Sequence, residues 1–157
     1  MEIEELNGKE TRNAESQRAH DDAVILIAGS RFSISDWNVV VSEAADACGH
    51  PVSADIIARL GDEIVALGEV ETKESVSEEE VAQWLELGRL CSRLYLFVPA
   101  GTQRAAAELI ENHGVTCAGL RAYAIGDDNT ITIETVSVSN GHSKWNDHLW
   151  WMSIGKN

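Results

Sequence analysis

Proline is scarce in this chain: there are two among 157 residues, with three cysteines and 6% aromatic side chains. The shortage of proline, without any low-complexity stretch, excludes proline-rich linkers and collagen-like repeats. Cys48, Cys91 and Cys117 are odd in number, far apart and free of a CxxC pair. A disulfide framework and a zinc ribbon are thereby excluded, and the three read as small apolar residues in a reducing compartment. His142 and His148 lie six apart and fit no common zinc spacing. Positive charge is also short, with Lys+Arg 12 against Asp+Glu 26 and a formal net charge of −14. A broad basic clamp for nucleic acid and attraction to an anionic membrane are not expected of such a chain. The longest apolar run, Ala23 to Gly29, falls far below the roughly 20 residues of a membrane helix, and no basic stretch precedes it as in a signal peptide. A soluble, cytoplasmic protein with no membrane partner is expected. Four lysines within so large an acid excess also fit a salt-adapted host.

The remaining composition, 44% hydrophobic and 24% charged, suits a chain that buries a core, at the size of one domain. Residues 1–13 are polar and aperiodic and read as a flexible arm; residues 14–136 read as a single domain; residues 137–157 read as a Trp-rich tail. Ala14 to about Arg31 reads as a helix with Ala19, Ala23 and Ile27 on one side, although Ala23–Ile27 is β-rich enough to be a strand. Trp37–Val41 and Ala54–Leu60 read as strands. Ile64–Glu71, apolar on both faces until its end, reads as a central strand covered on both sides. Ser77 and Glu80 form a capping box before a stripe of Val81, Trp84, Leu85, Gly88 and Cys91. Leu94–Val98 is a strand stopped by Pro99, and Thr102 caps a helix closing at Gly114. Leu120–Ile125 and Thr130–Val136 flank a hairpin turn, Gly126–Asn129. The order is helix, three strands, helix, strand, helix, two strands. It predicts an α/β fold with a mixed sheet and helices on both faces.

Acids on hydrophobic strands are costly, because a buried carboxylate must be paired, protonated or bound to a cation. Glu69 and Glu71, at i and i+2, project from one face of the central strand, and Asp55 lies on the strand before it. A three-residue loop Gly61-Asp62-Glu63 sets Leu60 opposite Ile64 and Asp55 opposite Glu69, so that three carboxylates converge. A two-residue turn sets Asp55 opposite Gly68 and turns Glu69 to the other face. Three acids so close call for a cation, and hard oxygen ligands suit Mg²⁺ or Mn²⁺. Such an ion polarises a phosphoryl group and lowers the pKa of bound water, the needs of phosphodiester hydrolysis.

Ser53-Ala54-Asp55-Ile56-Ile57-Ala58, a short turn, then Leu67-Gly68-Glu69-Val70-Glu71-Thr72 resembles the PD-(D/E)XK nuclease superfamily. The likeness is to its restriction-endonuclease-like and archaeal Holliday-junction-resolvase-like members, and it covers about half the chain. The resemblance implies a three-layer αβββαβ core with an added C-terminal helix and strands, Mg²⁺ (or Mn²⁺) as cofactor, and DNA as partner. It sets Asp55 on the first metal-binding acid and Glu69 on the second, with Ala54 replacing the usual proline. Glu71 stands where the family carries lysine, as it does in some restriction enzymes, and becomes a further ligand or a water-orienting acid. Lys73, one step along the same face, is the candidate transition-state cation. Asp22 or Glu15 matches the acid often found on the first helix, and Gln83 is similar to a Gln of some subfamilies.

Trp84 reads as core, and Glu74, Glu78, Glu79 and Glu80 as a solvated helix start complementing the helix dipole. Trp145, Trp150 and Trp151 should not stay in water; they fold back onto the domain or bind a partner, including a second copy. Two readings of function stand side by side. One is a metal-dependent phosphodiesterase acting on DNA; the other is the same fold with a decayed site, serving protein interaction or regulation. A nucleotide-binding α/β domain lacks its Gly-rich phosphate loop here. Arginines ringing Asp55 (Arg59, Arg89 or Arg93) would favour the enzyme, and an acidic surround would favour the interaction module.

Overall fold

A computed structural model describes residues 14–34, 36–47 and 50–136, with no side-chain description over 42–52. The arm at 1–13, Cys48, and the tail carrying His142, Trp145, His148, Trp150 and Trp151 lie outside the described residues. In chain order the elements are helix α1 (Ala14–Arg31), strands β1 (Asn38–Ala47), β2 (His50–Leu60) and β3 (Glu63–Val70), helix α2 (Glu78–Leu90), strand β4 (Leu94–Pro99), helix α3 (Gln103–His113), and strands β5 (Gly119–Ile125) and β6 (Ile131–Val136). This is the expected order, and the β-rich run Ala23–Ile27 is helical.

The sheet runs β1-β2-β3-β4-β5-β6. β1 to β3 form an antiparallel meander, β3-β4-β5 pair in parallel, and β6 returns antiparallel to β5. The fold is therefore α/β with a mixed sheet and three layers. One layer is α1, whose Ala23, Val24, Ile27 and Ala28 pack with Phe32 on Ile56, Ala66, Val70 and Phe97. The other is α2 and α3, whose Val81, Trp84, Leu87, Ala106 and Ile110 pack on Ile57, Leu67, Leu94, Leu96 and Leu120. Residues alternating along β3 and β4 thus feed opposite cores, as a strand covered on both faces requires.

Several local expectations are corrected. The inward stripe of α1 is His20, Ala23, Val24, Ile27 and Ala28, spaced i, i+3, i+4, i+7, i+8, so Ala19 stays exposed. Ser77 is the N-cap residue of α2, but its side chain makes no capping bond; the Glu80 N–H reaches the Ser77 carbonyl at 3.1 Å instead. Thr102 likewise makes no side-chain cap, and its hydroxyl donates to the Pro99 carbonyl at 2.7 Å. Gly114 closes α3 at φ 66°, as expected of a left-handed helix end. Gly88 is forced by contact: a Cβ there would run into the Thr116 carbonyl oxygen.

The β2–β3 hairpin decides the site. Its loop has two residues, not three, because Leu60 pairs with Glu63 and Arg59 with Ile64. Gly61, at φ 66°, is the first central residue of the turn, where glycine is favoured. A β-bulge then shifts the register: Ala58 pairs with Ala66, Ile57 with Leu67 and Ile56 with Gly68, leaving Val65 as the extra residue. One step further, that register brings Asp55 level with Glu69. The expected alignment is reached by a bulge rather than by a longer loop.

Candidate metal centre

Asp55 and Glu69 lie where β2 and β3 reach the open end of the hairpin. The Asp55 N–H donates to Glu69 Oε1 at 3.3 Å, and the Val70 N–H donates to Asp55 Oδ2 at 2.8 Å. These bonds tie each side chain to the other strand's backbone. Past β3, the Glu71 N–H donates to the Phe97 carbonyl at 2.8 Å, and the Glu71 carbonyl accepts from the Tyr123 hydroxyl at 2.7 Å. Glu71 is therefore held in line with the parallel strands, and its side chain is 1% exposed. Its Oε1 accepts from the Ser75 hydroxyl at 2.5 Å and its Oε2 from the Trp84 indole N–H at 2.8 Å. Trp84 is fully buried, as expected, and its polar edge serves this carboxylate.

Glu80, half-buried on the first turn of α2, completes an acidic cluster. One carboxylate oxygen each from Glu69, Glu71 and Glu80 lies within 4.8 Å of the others. Octahedral coordination at about 2.1 Å needs oxygens about 3 to 4 Å apart, so small side-chain movements would fit this set to a hard divalent ion. Burial, then the charges of Asp55 and Glu71, hold the Glu69 carboxyl well above the usual carboxylate range. Burial likewise raises Glu71 to about 7, against the Ser75 and Trp84 hydrogen bonds that lower it, with Glu80 and Asp55 adding to the rise. Both shifts reflect burial first and crowded negative charge second, and a proton or a cation relieves both.

A shallow depression touches this cluster only at Glu69; it is lined by Gln17, His20 and Asp21 of α1, Ser53, Ala54 and Asp55 of β2, Glu69 of β3 and Gln83 of α2. Gln83 donates to the Ser53 carbonyl at 3.1 Å. Asp22 and Glu15, the first-helix candidates, are exposed and do not line it; Asp21 does. A second depression, lined by Thr72, Lys73, Pro99 and Tyr123, shares only the His20 wall. Lys73 is exposed there, away from the Asp55 and Glu69 side.

Arg59, Arg89 and Arg93 fall elsewhere. Arg59 sits four residues along β2 from Asp55, roughly 13 Å at 3.3 Å per residue. Arg89 is exposed beside Glu86 at 3.5 Å, and Arg93 is exposed before β4. Among the described residues, the lining of the Asp55 depression includes no lysine or arginine.

Glu80 and His20 are the residues that the sequence reading missed. Glu80 was assigned to a solvated helix start, although it stands one turn before Trp84 on the inward stripe. His20 opens the buried stripe of α1, and an imidazole on an apolar face was its signal. Cys91 is half-buried at the end of α2 and Cys117 is buried, in keeping with small apolar roles. Among the described residues no helix is long and apolar enough to cross a membrane. Known protein families, curated proteins and solved structures yield no match to this chain.

Proposed function

We propose that the chain is a metal-dependent phosphodiesterase acting on DNA, of PD-(D/E)XK-like type. The observation that carries this reading is the gathering of Glu69, Glu71 and Glu80 within 4.8 Å of one another, with Asp55 of the facing strand tied to Glu69 across the hairpin. The donors are all carboxylate oxygens, which fit Mg²⁺ or Mn²⁺. Asp55 and Glu69 would hold the ion, with Glu71 and Glu80 supplying negative charge or a further ligand. A bound ion of this kind supplies Lewis-acid polarisation of a phosphoryl oxygen and a more acidic water. Glu71, at about 7, is poised to accept a proton near neutral pH, while Trp84 and Ser75 hold its carboxylate in place. Gln83 and Gln17, flanking the acids, offer neutral donors where a phosphate oxygen would approach.

The placement of the arginines favours a second reading, a catalytically decayed domain serving protein interaction or regulation. With Lys73 in the adjacent depression, no lysine or arginine among the described residues lines the depression at Asp55 and Glu69 to neutralise a transition state. Calorimetric titration of Mg²⁺ and Mn²⁺ into the wild type and an Asp55→Ala, Glu69→Ala double variant tests the shared premise. Saturable binding lost in the variant, with metal-dependent nicking of supercoiled DNA, supports the enzyme. Binding without nicking of any DNA form supports the decayed site, and no binding at low salt overturns the metal centre.

A further inference from the structure

The parallel strands β3, β4 and β5 end together, and a cleft of about 380 Å³ opens beyond their carboxyl ends. That end of an open α/β sheet is the usual seat of a ligand, and the volume lies within the range of ligand pockets. The walls are largely apolar: Ala19 on the exposed side of α1, Pro99 and Ala100 at the end of β4, and Ala124 and Ile125 on β5. Ile125 stays 36% exposed along it. Two further lining residues adjoin the acid cluster. Thr72 follows Glu71 in the chain, and the aromatic Tyr123 donates its hydroxyl to the Glu71 carbonyl at 2.7 Å. His20 lines both this cleft and the depression at Asp55 and Glu69, so the two are neighbours. Lys73 is exposed at the rim beside Glu74, which leaves the local charge close to balanced.

Affinity for DNA ordinarily comes from lysines and arginines that displace counterions from phosphates, and a chain with 12 basic against 26 acidic residues has little of that to give. Stacking in an apolar, aromatic-walled cleft supplies affinity without charge, because every nucleobase has an apolar face. A base within a duplex is already stacked and paired, so only an unpaired one enters such a cleft without a large cost. We propose that this cleft receives an unpaired nucleobase of the strand whose phosphate lies at the acids, so that the substrate is single-stranded DNA or a duplex with unpaired nucleotides. This rests on the nuclease reading above and names the substrate class of that site. Lys73 at the rim is placed to meet a phosphate of the same strand.

The test uses the full chain and labelled oligonucleotides of one length: a single strand, its duplex, and a strand of abasic sugars that keeps every phosphate. Fluorescence anisotropy is read at low salt with Ca²⁺, a hard ion that also takes oxygen ligands. The single strand should bind at least about tenfold tighter than the duplex, and the abasic strand should lose about 5- to 100-fold against the normal one. Ala19→Phe, at an exposed helical position apart from the acids, fills the cleft. It should bring the normal strand down to the abasic level and leave Mn²⁺ affinity unchanged. Equal binding of normal and abasic strands, or of single strand and duplex, overturns the proposal. Metal-dependent nicking of supercoiled DNA alongside that result keeps the nuclease reading and removes only the cleft. A base-dependent affinity that Ala19→Phe leaves intact puts the bases elsewhere and also overturns it. No binding of any strand overturns the cleft and the nuclease reading together. Should Ala19→Phe fail to fold, Ala124→Phe fills the same cleft from an exposed position on β5.

Discussion

Glu71 is 1% exposed and titrates at about 7 because burial opposes its charge, so the folded chain prefers its protonated form. In the unfolded chain the group returns towards the ordinary 4.5. Below that value both states carry the proton and the preference is fully expressed. As pH rises through 4.5 the unfolded state gives up its proton first, and stability drains away until the folded carboxyl ionises near 7. At about 1.4 kcal/mol per pH unit, the gap amounts to about 3 kcal/mol lost between pH 4 and pH 8 in the absence of metal. Glu69, raised by burial and by Asp55 and Glu71, acts in the same direction. Glu71→Gln keeps the shape of the protonated acid and removes its titration, so its stability should fall much less over that range. Urea unfolding followed by tryptophan fluorescence, at intervals from pH 4 to pH 8 in chelator, gives the difference profile. General charge repulsion is common to both proteins and cancels in the difference. Parallel profiles for wild type and Glu71→Gln would refute the buried, uncompensated carboxylate. Saturating Mn²⁺ should restore the wild type at pH 8, because the cation takes the proton's place.

Other substitutions probe the parts that hold the site. Trp84→Phe strips the indole donor from buried Glu71 Oε2 and should cost about 1–3 kcal/mol in urea melts; a change within about 0.5 kcal/mol would show that bond to be idle. Glu80→Gln lowers the repulsion on Glu69 and Glu71, so the metal-free chain should gain up to about 1 kcal/mol at pH 8 while Mn²⁺ affinity falls. The opposite signs, read by melts and calorimetry, separate a ligand-site acid from a surface one. Gly61→Ala places a Cβ at φ 66° in open space, so its cost of about 1–2 kcal/mol should be purely conformational, with metal affinity unchanged.

Much of the architecture was legible because local signals agreed with one another. Consecutive β-branched residues marked strands, Pro99 and Gly114 marked ends, and the inward stripe of α2 carried Val81 and Trp84 at helical spacing. The acids at Asp55, Glu69 and Glu71 stood out because charge is expensive on apolar strands. The hairpin shows where such reading stops. Turn length alone would have placed Asp55 opposite Gly68, yet a bulge at Val65 returns it to Glu69. Nothing in Glu63-Ile64-Val65-Ala66 announces that extra residue, since a bulge is settled by which side chains fit the two cores rather than by the identity of one.

The partners of the acids belong wholly to the tertiary level. Glu80 has the composition of a solvated first turn, and only the docking of α2 against β3 carries it within 4.8 Å of Glu69 and Glu71. His20 meets Asp55, 35 residues later, because α1 packs across the sheet end where β2 and β3 open. Lys73, one residue beyond Thr72, turns into the neighbouring depression once the chain leaves the strand. The sequence by itself determined the element order, the mixed sheet and the strand-borne acids, since periodicity and the cost of burying charge act within a few residues. Tertiary structure alone decided the register, the cluster around Glu69 and Glu71 and the placement of Arg59, Arg89 and Arg93 away from Asp55. Those depend on distances between elements, which no local pattern contains.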